Sequence, residues 1–232
     1  MVLVAATAQT VSGFGFALLA VPMMTLLVDP RVAIVVATLL GATSSTSQSL
    51  IDRRHINWPL TRRLSLAALL GMPAGLAVFL FVDEAFLRML VGSVVLVAAL
   101  LLLRGFSIPA EATRADWWLG AASGVLATST STNGPPLVFL MQAKGLPPTT
   151  FRATINAVFT TANAVAITLF ALAGKVTVDG LSAAALGLPS MLLGLRVGYV
   201  VRPRVHPARF RILVLTLLVL SAFSAFAAAL LG

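Results

Sequence analysis

Two stretches of this chain set glycine or proline beside small hydroxyl and amide side chains inside otherwise apolar sequence. They are Ser12-Gly13-Phe14-Gly15 and Thr128-Ser129-Thr130-Ser131-Thr132-Asn133-Gly134-Pro135-Pro136. A helix that resumes after such a break starts with backbone N–H groups that lack an intrahelical acceptor and carry the positive end of the helix dipole. That end favours an anion. Glycine lets a ligand approach the backbone closely, and proline at the first helical positions forfeits no helical bond. Ser12, Gly13, Phe14 and Gly15, with Ser131, Thr132, Asn133, Gly134 and Pro135, are therefore the candidate binding residues for a small anionic substrate. Gly13-Phe14-Gly15 alone reads as a kink or packing point; its pairing with Asn133-Gly134-Pro135-Pro136 is what favours binding.

Further polar groups follow each break. Thr43 to Ser49 is a run of hydroxyls around Gln48, and Asn156, Thr160 and Asn163 share one helical face. Gln48, Asn156 and Thr160 join the candidate set, with interhelical hydrogen bonding as the competing role. Other chemistries lack their groups. There is no cysteine, and Asp29, Asp52, Asp83, Glu84, Glu111, Asp116 and Asp179 all lie at segment ends or in loops. A proton relay or a tight cation site within a membrane needs a carboxylate there. A serine nucleophile would lack a buried His or Lys base. His55 and His206 stand in basic loops. No metal site, cofactor or catalytic residue is expected, and the chain reads as a non-enzyme.

The elements that would hold these residues are hydrophobic helices. The 232 residues are 59% hydrophobic and 10% charged, with a mean hydropathy of +1.02. An average soluble chain is about a quarter charged, so lipid must solvate much of this surface. The net charge of +9 is scattered over short stretches without a long basic run, which argues for topology signals and against nucleic acid. Apolar segments fall at residues 2–28, 32–51, 61–82, 86–104, 115–145, 152–173, 180–201 and 209–231. The first and fifth carry the breaks. Gly71-Met72-Pro73 in the third matches Gly187-Leu188-Pro189 in the seventh, and Arg88-Met89-Leu90-Val91 in the fourth matches Arg211-Ile212-Leu213-Val214 in the eighth. These matches divide the chain into two repeats, 1–106 and 115–232. Gly71-x-x-x-Gly75 and Gly194-x-x-x-Gly198 are spacings for close helix packing.

Charge decides between topologies. If all eight segments crossed the membrane, the sixteen basic residues would split seven against nine and give no orientation. If segments one and five are hairpins that leave by the face they entered, one face gathers Arg53, Arg54, Arg62, Arg63, Arg104, Arg114, Lys144, Arg152, Arg196, Arg202, Arg204, Arg209 and Arg211. Only Arg31, Arg88 and Lys175 remain for the other. The arms of the first hairpin, each about 15–20 Å at 1.5 Å per residue, cannot span a core of ~30 Å. One hairpin plus three spans is an odd number of crossings, so the two halves are expected in opposite orientations. The expected fold is an all-α integral membrane protein of two inverted repeats.

On these motifs the chain resembles the TauE/SafE sulfite exporter family, also called the toluenesulfonate uptake permease family. Ser12-Gly13-Phe14-Gly15-Phe16 with Pro22 resembles the glycine-rich opening of the first half, with Phe14 and Phe16 where small residues are usual. Asn133-Gly134-Pro135-Pro136 followed by Phe151-Arg152-Ala153-Thr154 resembles that of the second. The resemblance implies carriage of sulfite, sulfonates or sulfoacetate across a bacterial inner membrane, by an alternating-access secondary carrier. An anion channel using the same hairpin-tip site is the alternative, and a non-transport intramembrane protein is a further one. Exposed membrane faces leave room for a homodimer.

Overall fold

The computed structural model describes residues 1–24, 27–83, 107–109 and 111–204, with single positions at 93, 96, 100, 212, 216, 219, 220 and 223. Segments four and eight, with Arg88 and Arg211, lie almost wholly outside the described residues. All regular structure among the described residues is helical: α1 Val2–Ser12, α2 Phe16–Met24, α3 Pro30–Ile51, α4 Trp58–Phe81, α5 Thr113–Thr130, α6 Gly134–Ala143, α7 Pro148–Leu172 and α8 Val178–Val201. Of these, α3, α4, α7 and α8 are long and apolar enough to cross a membrane.

The four long helices start two to four residues before their hydrophobic runs because their first turns are built from polar caps and proline. Asp29 accepts hydrogen bonds from the N–H groups of Arg31 and Val32 ahead of α3, Asn57 accepts from Leu60 ahead of α4, and Thr177 accepts from Gly180 ahead of α8. Pro30, Pro59 and Pro148 occupy first-turn positions where a missing N–H costs nothing.

Glycine stripes set the closest helix contacts. A Cβ added at Gly71 or Gly75 of α4 would lie 2.1 Å from the carbonyl oxygen of Ala121 or Val125 in α5. One added at Gly124 of α5 would lie 1.9 Å from that of Ala68. Two small-residue stripes therefore face each other, and Gly120-x-x-x-Gly124 is the one that sequence reading overlooked. In the same way α1 lies against Gly194 and Gly198 of α8, where an added Cβ would meet Leu3 O at 2.5 Å and Thr10 Cβ at 2.4 Å.

The flanks of each broken segment come together. Lys144, just after α6, reaches Asp116 at the start of α5 with Nζ 2.6 Å from Oδ1, and Ile108 N–H bonds to Ala143 O. Val2 of α1 and Met24 of α2 pack in one apolar cluster. The arms are unequal: 11 and 9 residues in the first pair, 18 and 10 in the second. One end of the bundle is basic. Asp52 with Arg202, Asn57 with Thr154 and Arg63 with Asp116 bring together the end of α3, the starts of α4, α5 and α7, and the end of α8. Trp58, Trp117 and Trp118 are exposed at that end, as in an interfacial aromatic belt.

Candidate functional site

The first break is shaped by two left-handed glycines. Gly13 has φ 90° and Gly15 φ 100°, a region that side chains with a Cβ rarely enter. Ser12 serves the backbone: its hydroxyl lies 2.7 Å from Ala8 O and 2.6 Å from Phe14 O, and accepts from Phe14 N–H at 3.3 Å. Phe14 is fully buried edge-on to Phe151, in a cluster with α6 and α7, whereas Phe16 is buried with α2, α3 and α8. The two aromatic rings thus anchor the break into different parts of the core. The first bond beyond it runs from Leu19 N–H to Gly15 O at 3.1 Å, so the N–H groups of Phe16, Ala17 and Leu18 have no intrahelical acceptor.

The second break turns at Ser131, the one non-glycine residue with positive φ (59°) among the described residues. Thr38 of α3 donates to Ser131 Oγ at 3.0 Å, the hydroxyls of Thr130 and Thr132 lie 2.6 Å apart, and Ser123 donates to Asn133 O at 2.9 Å. Asn133 is the N-cap of α6. A capping side chain normally accepts from the second or third helical N–H; here those positions are Pro135 and Pro136, which have none. The amide is not drawn back onto its helix, and its buried Nδ2 has no hydrogen-bond partner.

The two breaks meet at one small cavity of about 30 Å³, room for about two waters. Its walls include Gly15 to Leu18 from the first turn of α2 and Ser131 to Gly134 at the start of α6. Gln9, Gly41, Phe159 and Asn163 complete much of the rest. Two helix N-termini, each equivalent to roughly +0.5 charge, face this space, and among the described residues no carboxylate lines it. The two ends differ: α2 offers backbone N–H groups, while the prolines leave α6 to offer its dipole and the Asn133 amide.

One family model, that of the sulfite exporter TauE/SafE, matches residues 1–225. The chain belongs to the TauE/SafE sulfite exporter family. No curated protein and no solved structure matches it. Family and helices together make it a multi-pass membrane protein of a transporter family for sulfite and sulfonates.

The candidate residues of this TauE/SafE protein fall into three groups. Gly15, Ser131, Thr132, Asn133 and Gly134 line the cavity. Ser12, Gly13, Phe14 and Pro135 shape the breaks from behind. Gln48 and Asn156 form a buried network instead: Ser44 donates to Gln9 Oε1 at 2.8 Å, Gln48 Nε2 to Ser44 at 3.1 Å and Gln9 Nε2 to Asn156 Oδ1 at 3.2 Å. Asn156 Nδ2 also lies 3.3 Å from Gly13 O and 2.9 Å from Arg152 O. Thr160 bonds to Asn156 O and meets the hydroxyl of Ser49 at 3.2 Å.

Three residues escaped the sequence reading. Gln9 joins the cavity wall to this network, and its signal was an amide within an apolar arm. Thr38 fixes Ser131. Arg152, counted as a topology charge, is only 6% exposed; its stem packs on Gly13 and its guanidinium donates to Val11 O at 3.4 Å. A cation at the C-terminal end of α1 complements that end of the dipole.

Proposed function

We propose that this protein is a secondary carrier of sulfite and small sulfonates that works by alternating access, holding the anion between the N-terminal ends of α2 and α6. One observation carries the reading: an unpartnered buried amide, Asn133, and the first turn of α2 face the same carboxylate-free cavity. The donors suit an oxyanion head group, and the family supplies the sulfur chemistry. An anion channel using the same hairpin-tip donors is the alternative.

The packing supports inverted repeats. The first arm of the hairpin in repeat 1–106 lies on α8 of the other half, and that of repeat 115–232 lies on α4, the helix occupying the corresponding place. Such an exchange of partners is what a pseudo-twofold axis produces, and an odd number of crossings in each half would put that axis in the membrane plane. The Asp116–Lys144 contact favours entry and exit of α5–α6 by one face. Arg53, Arg54, Arg62, Arg63, Arg114, Lys144, Arg202 and Arg204 near that end make it the cytoplasmic side of a bacterial inner membrane.

Flux into proteoliposomes tests this. Sulfite, methanesulfonate, sulfate and acetate are compared with and without a proton gradient. Saturable sulfite flux that methanesulfonate inhibits, with counterflow from preloaded vesicles, is expected. Flux that rises without saturation and shows no counterflow would establish the channel instead.

A further inference from the structure

The buried amide network beside the first break closes into a ring. Gln9 Nε2 donates to Asn156 Oδ1 at 3.2 Å, Asn156 Nδ2 to Gln48 Oε1 at 3.5 Å, Gln48 Nε2 to Ser44 Oγ at 3.1 Å, and Ser44 Oγ back to Gln9 Oε1 at 2.8 Å. Every link runs in the same sense, so each bond polarises the next. All four side chains are 2% exposed or less, and they come from α1, α3 and α7.

A ring of amides and a hydroxyl can run either way round, because an amide turned over exchanges its donor and acceptor ends. Asn156 decides the sense. Its Nδ2 also lies 2.9 Å from Arg152 O and 3.3 Å from Gly13 O, and an oxygen in that place would face two carbonyl oxygens with no hydrogen between them. With Asn156 fixed, Gln9 presents Nε2 to Asn156 and leaves Oε1 to Ser44. An amide nitrogen carries two hydrogens. Asn156 takes one of those on Gln9, and the other meets no acceptor among the described residues. Gln9 is also a wall residue of the central cavity.

We propose that Gln9 is a third anion-binding group of the central site, donating its spare amide hydrogen to the substrate. Asn156, Gln48 and Ser44 are then positioning residues, which keep that hydrogen toward the anion and the amide oxygen away from it. This role rests on the transport reading above and adds a ligand to it. Gln9 before the first break and Asn133 at the second offer one side-chain amide from each broken segment, beside the N–H groups that open α2. Those are three separate donor sources for the three oxygens of sulfite or of a sulfonate head group. With the ring reversed, Gln9 would turn its oxygen to the same anion and repel it.

Methanesulfonate binding to the purified full-length protein, measured by equilibrium titration, tests this with two variants that both open the ring. Gln9→Leu removes the donor, whereas Ser44→Ala leaves it in place and only unpins the amide. Gln9→Leu should raise the Kd at least about tenfold, the loss of one hydrogen bond to a charged ligand, and Ser44→Ala should raise it clearly less. An unchanged Kd in folded Gln9→Leu, or a rise in Ser44→Ala as large as in Gln9→Leu, overturns the donor role and leaves the ring to the fold alone. The central site still stands in that case if Asn133→Leu loses binding; a wild type that binds no methanesulfonate overturns the site and the role of Gln9 together. If Gln9→Leu does not fold, Gln9→Glu decides. It keeps the length and the acceptor for Ser44 but exchanges the donor for a carboxylate oxygen, which protonation turns back into a donor. Burial beside an anion raises the range in which such a carboxyl group titrates, and methanesulfonate stays anionic throughout. The Gln9→Glu protein should therefore bind it at least about tenfold tighter at about pH 5 than at about pH 8. Equal affinity at the two values refutes the role.

Discussion

Replacing Asn133 by leucine should push stability and binding in opposite directions. Leucine keeps the branched skeleton of asparagine but removes its polar atoms. The Asn133 Nδ2 is buried without an acceptor in the protein, and a group so placed costs up to about 1–3 kcal/mol, less where cavity water meets it. The substitution relieves that cost, and its wider methyl groups can grow into the cavity of about 30 Å³ beside them. At this chain length each kcal/mol shifts the thermal midpoint by roughly 2–4 °C, so Asn133→Leu should melt several degrees higher than the wild type in detergent. A hydrogen bond to a charged ligand contributes about 1.5–3 kcal/mol; losing it weakens sulfite binding about 10- to 150-fold. Saturating sulfite should therefore raise the melting point of the wild type and leave that of Asn133→Leu nearly unmoved. Thermal unfolding followed with and without sulfite, beside flux in proteoliposomes, reads both effects. A variant that melts lower and transports normally would mean that the amide supports the fold and does not touch the anion.

Two more predictions concern the frame around the site. Gly124→Ala drives a Cβ to 1.9 Å from the Ala68 carbonyl oxygen, which only separation of α4 from α5 can relieve. It should destabilise by at least the ~1–3 kcal/mol of an overpacked core. Gly41→Ala, whose Cβ would meet nothing nearer than 3.5 Å, should gain about 0.5–1 kcal/mol of helix propensity; melting points that move the same way in both variants would contradict the packing argument. Single cysteines introduced into this cysteine-free chain at Thr149 and Arg204 should react with an impermeant thiol reagent from one face of the membrane, and one at Thr177 from the other. Labelling of Thr149Cys and Arg204Cys from opposite faces would refute the hairpin topology.

What could be read from the sequence was whatever a local rule controls. The breaks showed because glycine and proline interrupt a helix wherever they fall, and the Gly71/Gly75 and Gly194/Gly198 stripes showed because spacing alone defines them. Hydrophobic counting lost the first turn of each long helix, since Asp29, Asn57 and Thr177 are polar although they begin the helix. Gln9 was invisible for a different reason. Its partners, Ser44 and Asn156, are 35 and 147 residues away, so nothing in its neighbourhood marks it. Arg152 sits one turn into α7, where basic side chains normally reach outward to the lipid surface. It is buried because the Gly13 turn comes to rest on its stem. Asp116 follows the same logic: a carboxylate in a first turn is ordinarily solvated, but here Arg63 and Lys144 converge on it from two other elements. The prolines at 135 and 136 were legible as helix starters, yet their second effect, releasing Asn133, needed the register of α6.

The seat of α1 on α8 also imposes an order in time. Thr7 bonds to Gly194 O across 187 residues of sequence. At a synthesis rate of about 5–20 residues per second, α1 waits roughly 10–40 s between leaving the ribosome and meeting the glycines it packs against, whereas α5 finds α4 already made. During that interval an 11-residue arm, too short to span the bilayer, has only its contacts with α2 and α3 to hold it. A slowing of translation before α8, or a truncation that removes it, should therefore leave α1 short of its largest seat and expose it selectively to membrane quality-control proteases.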